Sequence, residues 1–275
     1  MRGAHAAAVP NVGTVVHLVR ADPPPWPPVL IIGGCGGGGA TTTTLGLASQ
    51  IADLVRSVAV DGTASGGDLA LRGADLRFAG STLQSWLSAA SIPAGAALGS
   101  SLSLASSGAA IVRRDASALP RRETIATVCD RLLAEGLVPI VDGGASAAAR
   151  DLRPLLDYPD VRVAVTIPAR MDAANRVAIT LRQLDEEFGE SLIASTVLVV
   201  SHQSSHTPPV AAALAQHYGG WVSGVIEVAF DPHLAIGRTI TNSALLAETR
   251  WAYLDLARWL LPELGLPGEG MSSHG

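Results

Sequence analysis

Residues 33–44 read GGCGGGGATTTT, between the apolar run VLII (29–32) and the segment LGLASQIADLV (45–55). A buried strand, a glycine-rich turn and a helix start together form an anion cradle. Main-chain N–H groups close around a phosphate chain with the positive end of the helix dipole behind them. Two patterns fit the stretch. Gly34, Cys35, Gly36, Gly37, Gly38, Gly39, Ala40 and Thr41 keep the spacing G-x-x-x-x-G-K-[ST] of a phosphate loop, with Ala40 in the lysine position and Thr41 as the hydroxyl for Mg2+. Gly34, Gly36 and Gly39 also satisfy G-x-G-x-x-G, and Asp61 stands 22 positions beyond Gly39, where a dinucleotide-binding fold carries its ribose-binding acid.

The rest of the chain bounds the choice. Its 275 residues are 48% hydrophobic but only 4% aromatic, so a full core is available, built from Ala, Val, Leu and Gly, which suits close packing of helices on a sheet. All 19 basic residues are arginine, against 24 acidic residues, for a net charge of −5. That balance lacks the basic stripe that non-specific nucleic-acid binding needs. It also removes a catalytic Tyr-x-x-x-Lys, which a short-chain dehydrogenase requires. Two cysteines, Cys35 and Cys129, cannot form a disulfide framework and fit a reducing cytoplasm. No apolar run approaches the roughly 18 residues of a membrane span.

Apolar, β-rich runs occur at 29–32, 57–60, 137–141, 161–167, 196–200 and 221–228, with one further strand expected near 104–112. Helical patterns at 42–54, 123–135, 171–188, 210–218 and 244–261 separate most of them. Continuous apolar strands with helical crossovers predict a three-layer α/β fold, a doubly wound and mostly parallel sheet. Ligands of such sheets sit at the carboxyl ends of the strands, where the glycine stretch lies. Residues 1–28 read as a tail and Pro-rich linker, with an edge strand at 15–19 and polyproline II over ADPPPWPP (21–28). The main domain is expected over 29–264, and GLPGEGMSSHG (265–275) reads as a disordered tail.

The run IIGGCGGGGATTTTLGLA resembles the deviant phosphate loop of the MinD/ParA family of P-loop ATPases, whose pattern is G-K-G-G-x-G-K-[ST]-[ST]. On that match Cys35 occupies the place of the signature lysine that reaches across a dimer, Ala40 that of the phosphate-loop lysine, and Thr41 and Thr42 the two hydroxyl positions. The segment VAVDGTASGGDLALRGADL is similar to the D-x-D-x-x-x-G-D-x-A-L switch I of the CpaE/TadZ branch, with Asp61 and Asp68 in register and Thr63 where the wider family has a water-positioning acid. LVPIVDGG (137–144) resembles the Walker B strand, with Asp142 as the acid that supports Mg2+. VAFDPHLAIG (228–237) resembles a late loop of actinobacterial MinD-like proteins, whereas SHQ (201–203) matches the family's Asn-Arg pair poorly. The resemblance spans about residues 29–262. It implies ATP with Mg2+ as ligand, held with weakened affinity, a face-to-face homodimer, and a protein partner in a pilus, secretion or conjugation machine.

The two lost lysines bear on chemistry more than on binding. One charge-assisted hydrogen bond contributes about 1.5–3 kcal/mol, which the amide cradle survives losing. Turnover suffers more, because one arginine finger is worth roughly 10³–10⁵ in phosphoryl-transfer rate. Little or no ATP hydrolysis is therefore expected, and the catalytic residues stay unassigned. Arg72, Arg113 and Arg114 are the candidate replacement cations. Two other readings stay open: a pseudo-ATPase scaffold that dimerises without nucleotide, and a Rossmann-type NAD(P)-binding oxidoreductase. His202 and His206 fall in a loop, which disfavours a helical zinc pair. His233 is expected to cap a turn or pack at the late loop. The mixed charges of the last helix favour packing on the sheet or at a dimer interface over membrane binding.

Overall fold

The structure, a computed structural model, describes residues 26–64, 66–88, 93–121, 123–145, 149–158, 160–206 and 208–266. The expected edge strand at 15–19, most of the polyproline stretch and residues 267–275 of the tail lie outside them.

The chain runs β1 (Val29–Gly33), α1 (Ala40–Ile51), β2 (Ser57–Asp61), α2 (Leu69–Gly73), α3 (Leu83–Ser88), α4 (Gly95–Ser101), β3 (Ser103–Leu104), β4 (Ala110–Val112), α5 (Thr124–Ala134), β5 (Val138–Asp142), α6 (Arg153–Leu156), β6 (Arg162–Pro168), α7 (Met171–Phe188), α8 (Glu190–Ala194), β7 (Val197–Ser201), α9 (Val210–Tyr218), β8 (Gly224–Val228), α10 (Pro232–Ala235) and α11 (Ala247–Leu260). Among the described residues eight strands form one sheet in the order β3-β4-β2-β5-β1-β6-β7-β8. Every neighbouring pair is parallel except β3 with β4. The doubly wound α/β sheet read from the sequence is the observed fold.

Strand alternation divides the core between two faces. Leu30, Ile32, Val58, Val60, Val163 and Val165 point to the side covered by α5, α7 and α9. Val29, Ile31, Ala59, Ile140, Ala164 and Val199 point to the side covered by α1 and α11. Each fully buried Val, Leu or Ile contributes about 1.5–3 kcal/mol, so this two-sided burial is the main force holding the sheet. The amphipathic α11 buries Ala252, Tyr253, Leu256 and Leu260, as its packing role requires, and leaves Trp251 and Trp259 half-exposed. Its Tyr253 ring lies over Gly46 of α1, where an added Cβ would meet ring carbon Cε2 at 2.2 Å. A helix rich in small residues thus receives an aromatic ring in its groove.

The single strand expected near 104–112 is instead an antiparallel hairpin. Ala105 N–H bonds to the Ala109 carbonyl at 2.9 Å, and Gly108 turns the chain with φ 90. The short helices α2, α3 and α4 had no amphipathic signature long enough to read. No helix among the described residues is long and apolar enough to cross a membrane.

Candidate functional site

The glycine loop leaves the carboxyl end of β1, next to β5 and β6. It is fastened from both sides. Gly33 N–H donates to the Gly144 carbonyl at 2.6 Å and Gly34 N–H to the Thr166 carbonyl at 2.9 Å. Gly37 and Gly39 have positive φ, 74 and 90, which side-chain-bearing residues adopt at a cost. Gly38 lies so close to β6 that an added Cβ would stand 2.5 Å from the Thr166 carbonyl oxygen, whereas one on Gly36 or Gly37 would meet nothing within 4 Å. The loop is therefore pressed onto the sheet at one end and open to solvent at its crest. Gly39 closes it as the N-cap of α1 and supplies no side-chain cap. The first N–H groups of α1 thus point outward without intrahelical partners, ready for an anion.

Above the loop is a cleft of about 540 Å3. Cys35, Gly37, Gly38, Gly39, Ala40, Thr41 and Thr42 line its floor, with Gly33 and Gly144 beside them. Gly34 and Gly36 belong to the loop but not to the lining. Ser201 at the end of β7 and the following His202 and Gln203 form part of the wall, and Gln203 Nε2 donates to the Gly37 carbonyl. Ala229, Asp231, Leu234, Ala235 and Gly237 come from the loop after β8. Asp231 fixes that loop: its carboxylate accepts from His233 N–H at 2.8 Å, capping α10, and from Leu246 N–H at 2.9 Å. His233 Nε2 in turn accepts from Thr241 N–H at 3.0 Å. His202 is buried, with Nε2 at 2.6 Å from Glu227, and His206 is exposed on the following loop. The Gln203 clasp had no sequence signal beyond a polar residue after a strand.

Thr41 and Asp142, 101 positions apart, meet: Thr41 Oγ1 donates to Asp142 Oδ2 at 2.5 Å. Asp142 is fully buried at the end of β5, and its other oxygen accepts from Gly144 N–H at 3.0 Å. Burial pushes its carboxyl up to about 6, Asp61 and Asp68 add to that, and the bonds from Thr41 and Gly144 oppose it. The Thr41 hydroxyl lines the cleft and the Asp142 carboxylate lies buried directly behind it; both are hard oxygen donors of the kind that suits Mg2+.

Asp61 stands elsewhere. It pairs in register with Asp142 across β2 and β5, but its oxygens accept from Thr63 N–H at 3.1 Å, Thr63 Oγ1 at 2.6 Å and Gly67 N–H at 2.9 Å. It closes its own loop and does not line the cleft. The dinucleotide reading needs the strand bearing this acid beside β1, and here β5 stands between the two. The three candidate arginines also separate. Arg113 stacks over Phe78 at 5.3 Å and donates to the Gly80 carbonyl at 3.0 Å. Arg114 is buried, 3.6 Å from Asp151 and 2.9 Å from the Ala64 carbonyl. Arg72 lines the cleft.

No family model matches the chain, and no curated protein is similar to it in sequence. Solved structures are similar in fold. A ParA family ATPase from Chlorobium tepidum TLS superposes with a TM-score of 0.66 at 14% identity, covering 85% of this chain and 98% of its own. The septum site-determining protein MinD from Pyrococcus horikoshii OT3, complexed with Mg-ADP, gives 0.61 at 16% identity, covering 88% and 99%. MinD in the MinC:MinD cell division complex of Aquifex aeolicus gives 0.60 at 14% identity, covering 86% and 96%. With its glycine loop at β1 and its buried acid on the adjacent β5, the chain has the α/β fold of the MinD/ParA-type P-loop ATPases.

Proposed function

We propose that the cleft binds ATP with Mg2+, with little or no intrinsic hydrolysis, and that the chain acts as a spatial regulator or accessory factor of a pilus, secretion or conjugation machine, nearest to the CpaE/TadZ branch. The Thr41–Asp142 bond beside an uncapped helix start carries the nucleotide half of this reading. The loop amides and the α1 N-terminus hold the phosphates, with Gly38 keeping the floor clear. Thr41 and Asp142 hold Mg2+, which neutralises phosphate charge when bound. Cys35 and Ala40 bring no charge to the phosphates, and Thr63 stands where a water-positioning acid is expected, bonded to Asp61. These side chains account for binding without fast turnover. The switch I and late-loop resemblances support the partner class, and the MinC:MinD cell division complex among the similar structures supports only the coarser idea of a protein partner. A face-to-face homodimer belongs to the same reading.

Calorimetry on the full chain with Mg-ATP, ADP and NADPH tests it. Binding of Mg-ATP, with turnover at background, is expected. Binding of NADPH alone sinks the proposal. No binding together with a constant dimer favours the scaffold reading instead. ATP turnover well above background, lost in Asp142→Ala, would contradict the claim of weak hydrolysis.

A further inference from the structure

Both lysine positions of the glycine loop are neutral, and the chain contains no lysine to replace them. Among the described residues lining the cleft, Arg72 is the one with a permanent positive charge. It sits in the last turn of α2, and its backbone is pinned. The Arg72 carbonyl accepts from Ile240 N–H at 2.6 Å, and the Leu71 carbonyl from Thr239 Oγ1 at 3.2 Å. Next to it, a Cβ on Gly73 would stand 2.3 Å from Leu45 of α1, so α2 lies tightly against the helix that begins at the glycine loop.

The side chain is not used for structure as those of the other buried and half-buried arginines are. Arg114, Arg131, Arg153, Arg162, Arg170 and Arg258 each have a carboxylate partner. Arg56, Arg77 and Arg113 donate to backbone carbonyls. Among the described residues Arg72 makes neither kind of contact, and its Nε is buried without a hydrogen-bond partner. The acid that shares the cleft wall, Asp231, is already engaged by two main-chain N–H groups. Burial and the charge of Asp231 hold the Tyr253 hydroxyl above the ordinary tyrosine range, and the positive field of Arg72 partly offsets them. A partly desolvated guanidinium without an acceptor is costly unless an anion completes it.

The geometry points to Arg72 as the replacement cation for the phosphate chain, supplied in cis by α2 to a nucleoside di- or triphosphate. This rests on the nucleotide reading of the cleft and adds its phosphate-binding side chain. A guanidinium offers a planar fork of donors matched to phosphate oxygens and keeps its charge at every working pH. Because the charge comes from the same chain as the loop, the phosphates are neutralised without a second copy.

The test is calorimetry of Mg-ATP binding to the full chain, wild type against Arg72→Ala, Arg72→Gln and Arg72→Lys, with thermal unfolding of each protein without ligand. Loss of about 10- to 100-fold in ATP affinity is expected for Ala and Gln, with partial recovery in Lys. The dependence of affinity on salt should be shallower in Gln than in wild type. Arg72→Gln keeps length and polarity, so it decides the matter if Arg72→Ala unfolds. Wild-type binding that persists within twofold in Gln overturns this inference and leaves the nucleotide reading standing. Equal salt dependence in Gln and wild type overturns it too, because the residue then acts only through shape. Absence of Mg-ATP binding by the wild type overturns both.

Discussion

Two loops leave neighbouring parts of the sheet, and they are built in opposite ways. The glycine loop after β1 is held by its backbone, through Gly33 to Gly144 and Gly34 to Thr166, and its crest faces solvent. The loop after β2 is held by a side chain: Asp61 gathers Thr63 and Gly67 around its carboxylate. One loop is open and presents N–H groups. The other is closed on a buried acid that does not line the cleft. An anion site made of main chain tolerates the loss of individual side chains, because its donors are peptide groups that every residue but proline carries. Catalytic work does not tolerate it, because turnover needs particular side chains at particular atoms. On the proposed reading the first loop keeps its use for binding, while turnover lacks the side chains it needs.

The largest expected effect tests the open loop. Gly38→Ala places a Cβ 2.5 Å from the Thr166 carbonyl oxygen, on a central strand that cannot move aside. Such overpacking costs about 1–3 kcal/mol, and a backbone obstacle puts this case at the upper end. Thermal unfolding should report the loss, and calorimetry should find no Mg-ATP binding because the floor of the cradle has lifted. Binding at wild-type strength would mean that phosphates rest elsewhere.

The buried acid that joins the loop to the sheet comes next. Asp142 holds its proton up to about pH 6 in the folded chain, and up to about pH 4 when unfolded. The folded state therefore binds more protons between those values. Stability is highest below about pH 4 and falls as the pH rises through 6, by about 2–3 kcal/mol from this group alone. Asp142→Asn removes the titration, so the difference between denaturation midpoints at pH 4 and pH 7.5 should shrink by that amount. An unchanged difference would mean that the carboxyl is ionised without penalty.

Asp61→Asn probes the closed loop. Turned toward Gly67 N–H, the amide nitrogen meets one donor and one hydrogen bond is lost; turned toward Thr63 it would meet two, so the first orientation is expected. A cost of about 1–2 kcal/mol in stability follows. Mg-ATP affinity should stay within about twofold, because this carboxylate neither lines the cleft nor bonds to a residue that does. A large loss of affinity would show that the two loops act as one unit.

How much of this was legible in the sequence depends on the range of the interaction. The central strands were legible because continuous apolar runs such as VLII and VRVAVTI require burial on both faces. The glycine loop fitted two patterns on its own, and it became legible through the downstream stretches around Asp61 and Asp142. The strand order was not, since β5 inserts between β2 and β1 only through long-range pairing. That insertion separates the two uses of Asp61 that sequence spacing left open. The hairpin at 103–112 was hidden by the small residues LASSGAA, which carry turn and strand signals together. The α2 helix has five residues, too few for a period to appear, and with it the placement of Arg72 was out of reach. The sequence offered Arg72, Arg113 and Arg114 as equals, and only packing against Phe78 and Asp151 set two of them aside.

The smallest expected effect runs in the favourable direction and asks whether the open loop is complete without its lysine. Ala40 begins α1 and is 8% exposed, lining the floor of the cleft next to Thr41. Ala40→Lys returns an ammonium to this position. The helix start accepts a lysine with little loss of propensity, although a cation at the positive end of the dipole costs about 0.3–1 kcal/mol in the free protein. Against that stands a charge-assisted bond to phosphate of about 1.5–3 kcal/mol. The dipole cost is present with and without ligand and lowers the melting temperature slightly, while the phosphate bond, even at its weaker end, predicts an affinity for Mg-ATP raised by roughly tenfold. Turnover should remain at background, because Thr63 and Cys35 are untouched. A gain in turnover along with affinity would mean that the missing lysine alone had silenced the site. A fall in affinity would mean that another group, Arg72 foremost, already fills the place the lysine would take.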